Sequence, residues 1–177
     1  WRMRDALKMP ALWIQLVLFT VLLFAVNMIA THQVAYLRDL QYSPMLSATA
    51  LGLMLGASII GRLASGVLGM RFEGRYLAAV FMTCMSLGIV ALMNARSMIF
   101  VYLYSILSGI GFGGMIVILP HMMAEYVGRK HFARVVGWTT PIVAVAGAIS
   151  PVFAGYLFDA TGSYAWPFGI AAALLFV

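Results

Sequence analysis

The sequence has little charge, few acidic residues and a single cysteine. Only 9% of its 177 residues are charged and 64% are hydrophobic. A soluble domain carries about 25% charged residues, so this composition excludes an ordinary water-soluble globule. The lone cysteine, Cys84, excludes a disulfide framework, and no Cys/His cluster has the spacing of a metal site. We therefore expect neither a cofactor nor a metal.

Long apolar runs take the place of charged segments. A hydrocarbon core about 30 Å thick needs roughly 20 apolar residues of helix. Six runs approach or exceed this length, at residues 11–31, 47–69, 76–95, 97–124, 135–158 and 160–177. They are continuously apolar, which favours helices over the alternating strands of a barrel. The sequence therefore predicts an all-α membrane protein with six transmembrane helices.

The basic residues are distributed unevenly between the connections. The leading segment, the second-to-third connection and the fourth-to-fifth connection hold eight of the eleven Lys and Arg residues. The positive-inside rule places these segments in the cytoplasm, so we expect both ends of the chain there and the protein in the plasma membrane. This asymmetry accounts for the net charge of +6. No surface of interleaved aromatic and basic residues indicates a nucleic-acid partner.

Both ends of the chain resemble internal positions of a longer sequence. The first residue is not Met, and the last apolar run stops at Val177 without a polar flank. We expect residues 1–177 to form one six-helix unit in a lipid bilayer, with an N-terminal half of the same protein as its partner.

Small residues and prolines mark three of the runs. Because lipid gives helices no hydrophobic reason to associate, close packing depends on small residues spaced four apart. Such ridges occur in the second and fourth runs, at Gly52/Gly56, Gly61/Ser65/Gly69 and Ser105/Gly109/Gly113. Pro120, Pro141 and Pro151 interrupt the fourth and fifth runs, as in transporters built from inverted three-helix repeats. For each proline, a simple packing kink is an equal alternative.

Arg62 is the charge that lies inside a run. It falls about fifteen residues, or roughly 22 Å, into the second run. An Arg near a helix centre costs roughly 2.5–3.5 kcal/mol, and no acidic residue lies within a run to neutralise it. Its planar guanidinium could hold a carboxylate by two parallel hydrogen bonds, and Ser58 shares its helix face. We predict that Arg62 and Ser58 bind an anionic ligand; the alternative is that Arg62 reaches the headgroups.

Four further polar residues follow one another near the outer end of the first run. Asn27 and Thr31, and His32 and Tyr36, are pairs at four-residue spacing. They predict a polar stripe that contributes to substrate binding, in which His32 could take a proton near neutral pH. Solvation at the membrane interface is an alternative of equal weight.

Charged residues near the cytoplasmic end of the fourth run indicate a conformational contact. His121 and Glu125 are four residues apart, which allows a His–carboxylate contact. We predict that Glu125 acts as a latch to the basic residues Arg71, Arg75 and Arg129. A plain solvated helix end is the alternative.

The sequence disfavours an intramembrane enzyme. Ser108 and His121 lie thirteen residues apart on one predicted helix, about 20 Å along its axis. That separation is too large for a nucleophile and its base. We expect no catalytic residues and no enzyme activity.

Several segments carry a family resemblance. Residues 60–75, IGRLASGVLGMRFEGR, resemble the loop between helices 8 and 9 in the C-terminal six-helix half of a major facilitator superfamily transporter, with Met70 where the family has Asp. Residues 126–137, YVGRKHFARVVG, and the stretch 151–164 are similar to the monocarboxylate transporter and oxalate:formate antiporter group. His32, Tyr36 and Asp39 resemble that group's helix 7 ending.

The resemblance implies a secondary active carrier, symporter or antiporter, that moves a small organic anion by alternating access. Arg62 matches the helix 8 arginine that meets the substrate carboxylate. Ser58 stands where the monocarboxylate group often has Asp, which bears on whether a proton accompanies the anion. The fifth run has no match to the helix 11 lysine associated with oxalate, which argues against a dicarboxylate. A carrier of a different or neutral solute, or a transporter-like sensor, is the alternative.

Overall fold

The computed structural model describes residues 9–176, except for the side chain of Arg129. Within this range the chain forms six α-helices joined by short connections. They are α1 (Pro10–Asp39), α2 (Pro44–Leu68), α3 (Gly74–Met93), α4 (Met98–Val127), α5 (Arg129–Thr161) and α6 (Ala165–Leu174). The predicted all-α fold is confirmed.

Turn-forming residues set the helix ends. α2 begins at Pro44, which needs no N–H partner in the first turn, and the Ser43 hydroxyl caps it by accepting the Leu46 N–H at 3.2 Å. α5 ends at Thr161 and is followed by Gly162, whose φ of +66° lies in the left-handed region and whose N–H donates to the Phe158 carbonyl at 2.7 Å. These local signals fix where the chain reverses direction.

The helices extend beyond the apolar runs. Helices α1 to α5 are long and apolar enough to cross a membrane, and α6 is a shorter apolar helix of 10 residues. α1 continues past residue 31 to Asp39, and α5 begins at Arg129, before residue 135. A helix keeps its backbone hydrogen bonds where apolar side chains give way to polar ones, so an apolar run marks only the central part of a span.

The helix contacts repeat with a two-fold pattern. α4 contacts α1, α2, α3 and α5. If α1, α2 and α3 are exchanged with α4, α5 and α6, each helix contact should have a counterpart. The contact of α2 with α4 then corresponds to that of α5 with α1, the contact of α1 with α2 to that of α4 with α5, and the contact of α3 with α4 to that of α6 with α1. All six contacts occur. α1 and α4 run in opposite directions through the bundle. This is the arrangement of two inverted three-helix repeats.

Glycines bring α2 and α4 into backbone contact. A methyl group at Gly61 would overlap the Ile110 carbonyl oxygen, and one at Gly113 would overlap the Ser58 carbonyl oxygen. A methyl group at Gly109 would likewise overlap the Met54 carbonyl oxygen of α2. The predicted close packing of the second and fourth spans is therefore confirmed on this face.

The Gly52/Gly56 ridge does not take part in this contact. A methyl group at either position would meet no atom within 4 Å among the described residues. Each of the two glycines is two residues away from the contact residue Met54, and Gly56 is also two residues away from Ser58. Because each residue turns the helix by about 100°, a two-residue step places the glycines on the opposite side of α2. The expectation that this ridge packs tightly is wrong for the described part of the chain.

α5 remains one continuous helix through its two prolines. Pro151 cannot donate to the carbonyl of Gly147, which would otherwise lack a partner within the helix. The Ser150 hydroxyl donates to that carbonyl at 2.9 Å. The freed backbone group is therefore satisfied locally, as a membrane-spanning helix requires.

We predict that Gly113→Ala destabilises the protein by about 1–3 kcal/mol, because the added methyl forces α2 away from α4. The matched control is Gly56→Ala, where the methyl enters open space and helix propensity improves. Thermal unfolding of both variants in detergent measures the difference. Equal melting temperatures for the two variants would contradict the assigned contact.

Candidate functional site

The two ends of the bundle differ in charge. We call the end where α2 passes into α3, which carries Arg71 and Arg75, the basic end. We call the opposite end, which carries Asp39 and Asp159, the far end. Positions along the helices are described relative to these two ends.

Arg62 is an exposed and unpaired charge within α2. The helix continues for six residues beyond it to Leu68, about 9 Å along the axis. Its side chain is exposed, and among the described residues it has no salt-bridge or hydrogen-bond partner. Arg62 is thus free to contact a ligand or a part of the protein outside this bundle.

The α2–α4 contact determines which way Arg62 points. Met54, Ala57 and Gly61 are buried and face α4. Arg62 follows Gly61 by one residue and is therefore turned about 100° from the contact face. It shares this exposed flank with Leu55. Close packing of the Gly61 side of α2 therefore leaves the guanidinium on an open surface.

Ser58 does not lie on that open surface. Its side chain is 2% exposed, and its hydroxyl donates to the Leu55 carbonyl at 2.6 Å. Its backbone packs against Gly113 of α4. A four-residue step turns a helix by about 40°, which is enough to place Ser58 in the contact and Arg62 outside it. The binding role of Ser58 stays a prediction.

Asn27 and Thr31 are the exposed members of the predicted polar stripe. The Asn27 amide donates to the Leu23 carbonyl at 2.8 Å, and the Thr31 hydroxyl donates to the Asn27 carbonyl at 2.9 Å. Asn27 also lies beside Gly147 of α5. Both side chains are held by their own helix, and the bond to Leu23 uses one of the two N–H groups of the Asn27 amide, whose second N–H is the kind of donor that an anion requires. Their part in binding stays a prediction.

His32 and Tyr36 belong instead to a packed cluster at the far end. His32 Nε2 lies 2.9 Å from the Pro151 carbonyl of α5, and its ring centroid lies 5.7 Å from that of Tyr164. The Tyr36 hydroxyl donates to the Met93 carbonyl of α3 at 3.2 Å. The cluster is completed by Phe158 and Phe168. The structure therefore separates the predicted stripe into two exposed residues and two residues, His32 and Tyr36, that connect α1 to neighbouring helices. A binding role for His32 and Tyr36 stays a prediction.

Charged side chains gather in one cavity at the basic end. Arg75 Nε lies 2.7 Å from Glu73 Oε2, and His121 Nε2 lies 3.3 Å from Glu125 Oε1. All four residues line a cavity of about 290 Å³ between the α2–α3 connection, α3 and α4. The spacing of His121 and Glu125 thus gives the contact that the sequence predicts.

Arg71 and Arg129 are the other two predicted gating residues. Arg71 is exposed in the connection between α2 and α3. The side chain of Arg129 lies outside the described residues. A gating role for Arg71, Arg75, Glu125 and Arg129 stays a prediction.

A buried polar contact between three helices was not predicted from the sequence. The Tyr104 hydroxyl of α4 donates to Gln33 Oε1 of α1 and lies 3.3 Å from the Met54 sulfur of α2. Gln33 and Tyr104 are fully buried, and the Gln33 amide nitrogen has no partner among the described residues. The available signal was the position of Gln33, four residues from Leu37 on the buried stripe of α1.

We predict that Tyr104→Phe destabilises the protein by about 1–3 kcal/mol, because it leaves the buried Gln33 amide without its hydroxyl partner. Adding Gln33→Leu should recover part of this loss, since removal of both partners leaves no unsatisfied group. Melting temperatures of the two single variants and the double variant form the required cycle. Strictly additive losses would show that the two side chains do not interact.

Comparison with known proteins places this bundle in a family. The family model described as Major Facilitator Superfamily matches residues 16–177. Monocarboxylate transporter 13 of Rattus norvegicus is 27% identical over 146 residues, covering 81% of this chain and 34% of the relative. The enterobactin exporter EntS of Shigella flexneri is 29% identical over 137 residues, covering 75% of this chain and 32% of the relative.

The chain spans about a third of the length of these curated relatives. The family match covers most of the chain and coincides with the membrane-spanning helices and the inverted repeats described above. The chain is a multi-pass membrane protein that belongs to the Major Facilitator Superfamily.

Proposed function

We propose that the protein transports a small, monocarboxylate-like organic anion by alternating access, as a symporter or antiporter, and that Arg62 binds the carboxylate. The observation that carries this proposal is the unpaired, exposed guanidinium within a membrane-spanning helix. An Arg in such a place is costly, and the cost is commonly offset by a ligand or a polar cavity. The fork of a guanidinium matches the two oxygens of one carboxylate.

The number of cations in the bundle supports a single carboxylate. Other basic residues in the described helices lie closer to helix ends, as Arg38 and Arg75 do. One deep guanidinium is suited to one carboxylate group. We infer that the remaining contacts come from Asn27 and Thr31 and from the N-terminal half of the protein.

The orientation of the bundle follows from its charge. We infer that the basic end faces the cytoplasm of a plasma-membrane carrier, as the positive-inside rule indicates. His32, whose Nε2 lies 2.9 Å from the Pro151 carbonyl oxygen of α5, is our candidate for a group that exchanges a proton during transport.

A second candidate function is transport of a different solute, including a neutral one. The similarity to an enterobactin exporter favours it, since that relative and monocarboxylate transporter 13 are named for different solutes. A panel of labelled acids and neutral compounds, tested with the full-length protein in proteoliposomes, distinguishes the two functions. A transporter-like sensor would bind a solute from the panel without moving it.

We predict that Arg62→Ala lowers the affinity for a transported monocarboxylate at least tenfold, because a charge-assisted hydrogen-bonded pair contributes about 1.5–3 kcal/mol. Arg38→Ala removes an exposed arginine at the far end and serves as the matched control. Uptake of labelled pyruvate or lactate by the full-length carrier gives the KM. Normal uptake and affinity in Arg62→Ala would refute the assigned role and favour an arginine that merely reaches the headgroups.

We also propose that the charged cavity at the basic end takes part in closing that end of the carrier. Its ion pairs are exposed, with side chains 52–64% accessible. Exposed pairs contribute about 0–1 kcal/mol, which is weak enough to break and re-form in every transport cycle. Glu125 is the acidic residue available to Arg71, Arg75 and Arg129 from α4.

We predict that Glu125→Gln changes the maximal rate by up to about fivefold and leaves KM within twofold, because it removes a contact of the closed state but none to the substrate. Asp159→Asn, which removes a carboxylate at the far end, is the control. Initial uptake rates at several substrate concentrations separate the two parameters. A changed KM at constant maximal rate would assign Glu125 to binding instead.

A further inference from the structure

We propose that an apolar pocket between α1, α4 and α5 receives the hydrocarbon group of the substrate, so that the preferred anion is a carboxylate carrying a phenyl ring or a branched alkyl group of similar size. This inference rests on the proposed function and extends it, because it adds a second contact to the one that Arg62 makes. The pocket lies in the half of the bundle nearer the basic end.

The walls of the pocket are apolar. They include Leu16 and Phe19 of α1, Met123 of α4, and Phe132 and Val143 of α5. The pocket volume is about 150 Å³, and none of its lining residues is charged. An engineered apolar cavity of about 150 Å³ in another protein binds benzene. The space therefore matches a single six-membered ring.

Three polar residues line the pocket, and each donates a hydrogen bond to a backbone carbonyl; the Gln15 amide donates to the Leu119 carbonyl at 3.5 Å. The Thr139 hydroxyl donates to the Val135 carbonyl at 3.0 Å, and the Thr140 hydroxyl donates to the Val136 carbonyl at 2.7 Å. The pocket consequently offers little to a charged or strongly polar group. Ligand sites commonly combine such an apolar wall with a small number of polar contacts elsewhere.

The register of α4 places the pocket close to the level of Arg62. Gly61, next to Arg62, packs against the backbone of α4 at Gly114. Leu119 and Pro120 of the pocket follow Gly114 by five and six residues, about 8–9 Å along the helix. An extended arginine side chain and a spacer of a few carbons can together cover this offset. Along the bundle axis, the pocket is therefore within reach of a molecule whose carboxylate is bound at Arg62.

The experiment compares three compounds that separate the two contacts. Acetate has only the carboxylate, 3-phenylpropionamide has only the ring, and 3-phenylpropionate has both. Their affinities are measured on the full-length carrier in detergent, by ligand-dependent thermal stabilisation. Burial of a phenyl group should make 3-phenylpropionate bind at least about tenfold more tightly than acetate.

Two valine substitutions on α5 test the location. Val136 lines the pocket and is half-buried, so Val136→Phe places a ring in the space. Val145 is 58% exposed and is not a lining residue, which makes Val145→Phe the matched control. We expect Val136→Phe to abolish the advantage of 3-phenylpropionate over acetate and to leave acetate binding unchanged. Val145→Phe should keep the full advantage.

The inference is overturned if 3-phenylpropionate binds no better than acetate to the unmodified carrier, or if its advantage survives Val136→Phe. If Val136→Phe does not fold, Phe19→Ala gives the converse test. The enlarged pocket should then improve binding of 3-(1-naphthyl)propionate about tenfold relative to acetate, and no improvement would also overturn the inference.

Arg62→Ala distinguishes a failure of this inference from a failure of the proposed function. Weaker binding of both acids, with the advantage of the phenyl group retained, supports both. Equal binding of 3-phenylpropionate and its amide, with both weakened by Val136→Phe, supports the pocket but refutes the anion contact. Loss of both acids in Arg62→Ala without any phenyl advantage in the unmodified carrier supports the anion contact alone.

Discussion

The close approach of the α4 backbone to α2 and α3 is the contact on which the rest of the bundle depends. Lipid supplies no hydrophobic force between helices, so association needs dense packing. Gly109 and Gly113 admit the backbone of α2, and Gly111 admits that of α3. With α4 fixed between these two neighbours, α1 and α5 complete the bundle around it, and the pairings of the two inverted repeats follow.

This packing also decides which polar groups are available. Burial of the Gly61 side of α2 places Ser58 in the contact and leaves Arg62 on the open flank. On α1, the helix face that meets α4 carries Gln33, whose amide then depends on Tyr104 for a partner. The same geometric requirement thus produces an unpaired exposed cation and a buried polar pair. The first is suited to a ligand, whereas the second joins helices.

Much of the fold could be predicted because it depends on local composition. The apolar runs located the helices, and Pro44 and Gly162 lie where the chain turns. The apolar runs predicted the ends of the helices less well. α5, for example, begins in a basic segment whose charges interrupt the apolar run but not the helix. The site could be predicted only as a set of polar residues. The four-residue spacing grouped His32 and Tyr36 with Asn27 and Thr31. In the structure, contacts with α5 and α3 separate His32 and Tyr36 from the other two residues.

The sequence by itself determined that the protein is a membrane protein with one deep arginine and an excess of positive charge at one end. These properties are sums over residues and do not depend on which helices meet. Only the tertiary structure decided that Ser58 is buried, that the Gly52/Gly56 ridge is open, and that α1, α4 and α5 enclose an apolar pocket. The physical reason is that a side chain's surroundings depend on helix rotation, and rotation is set by the contacts that α4 makes with all its neighbours at once.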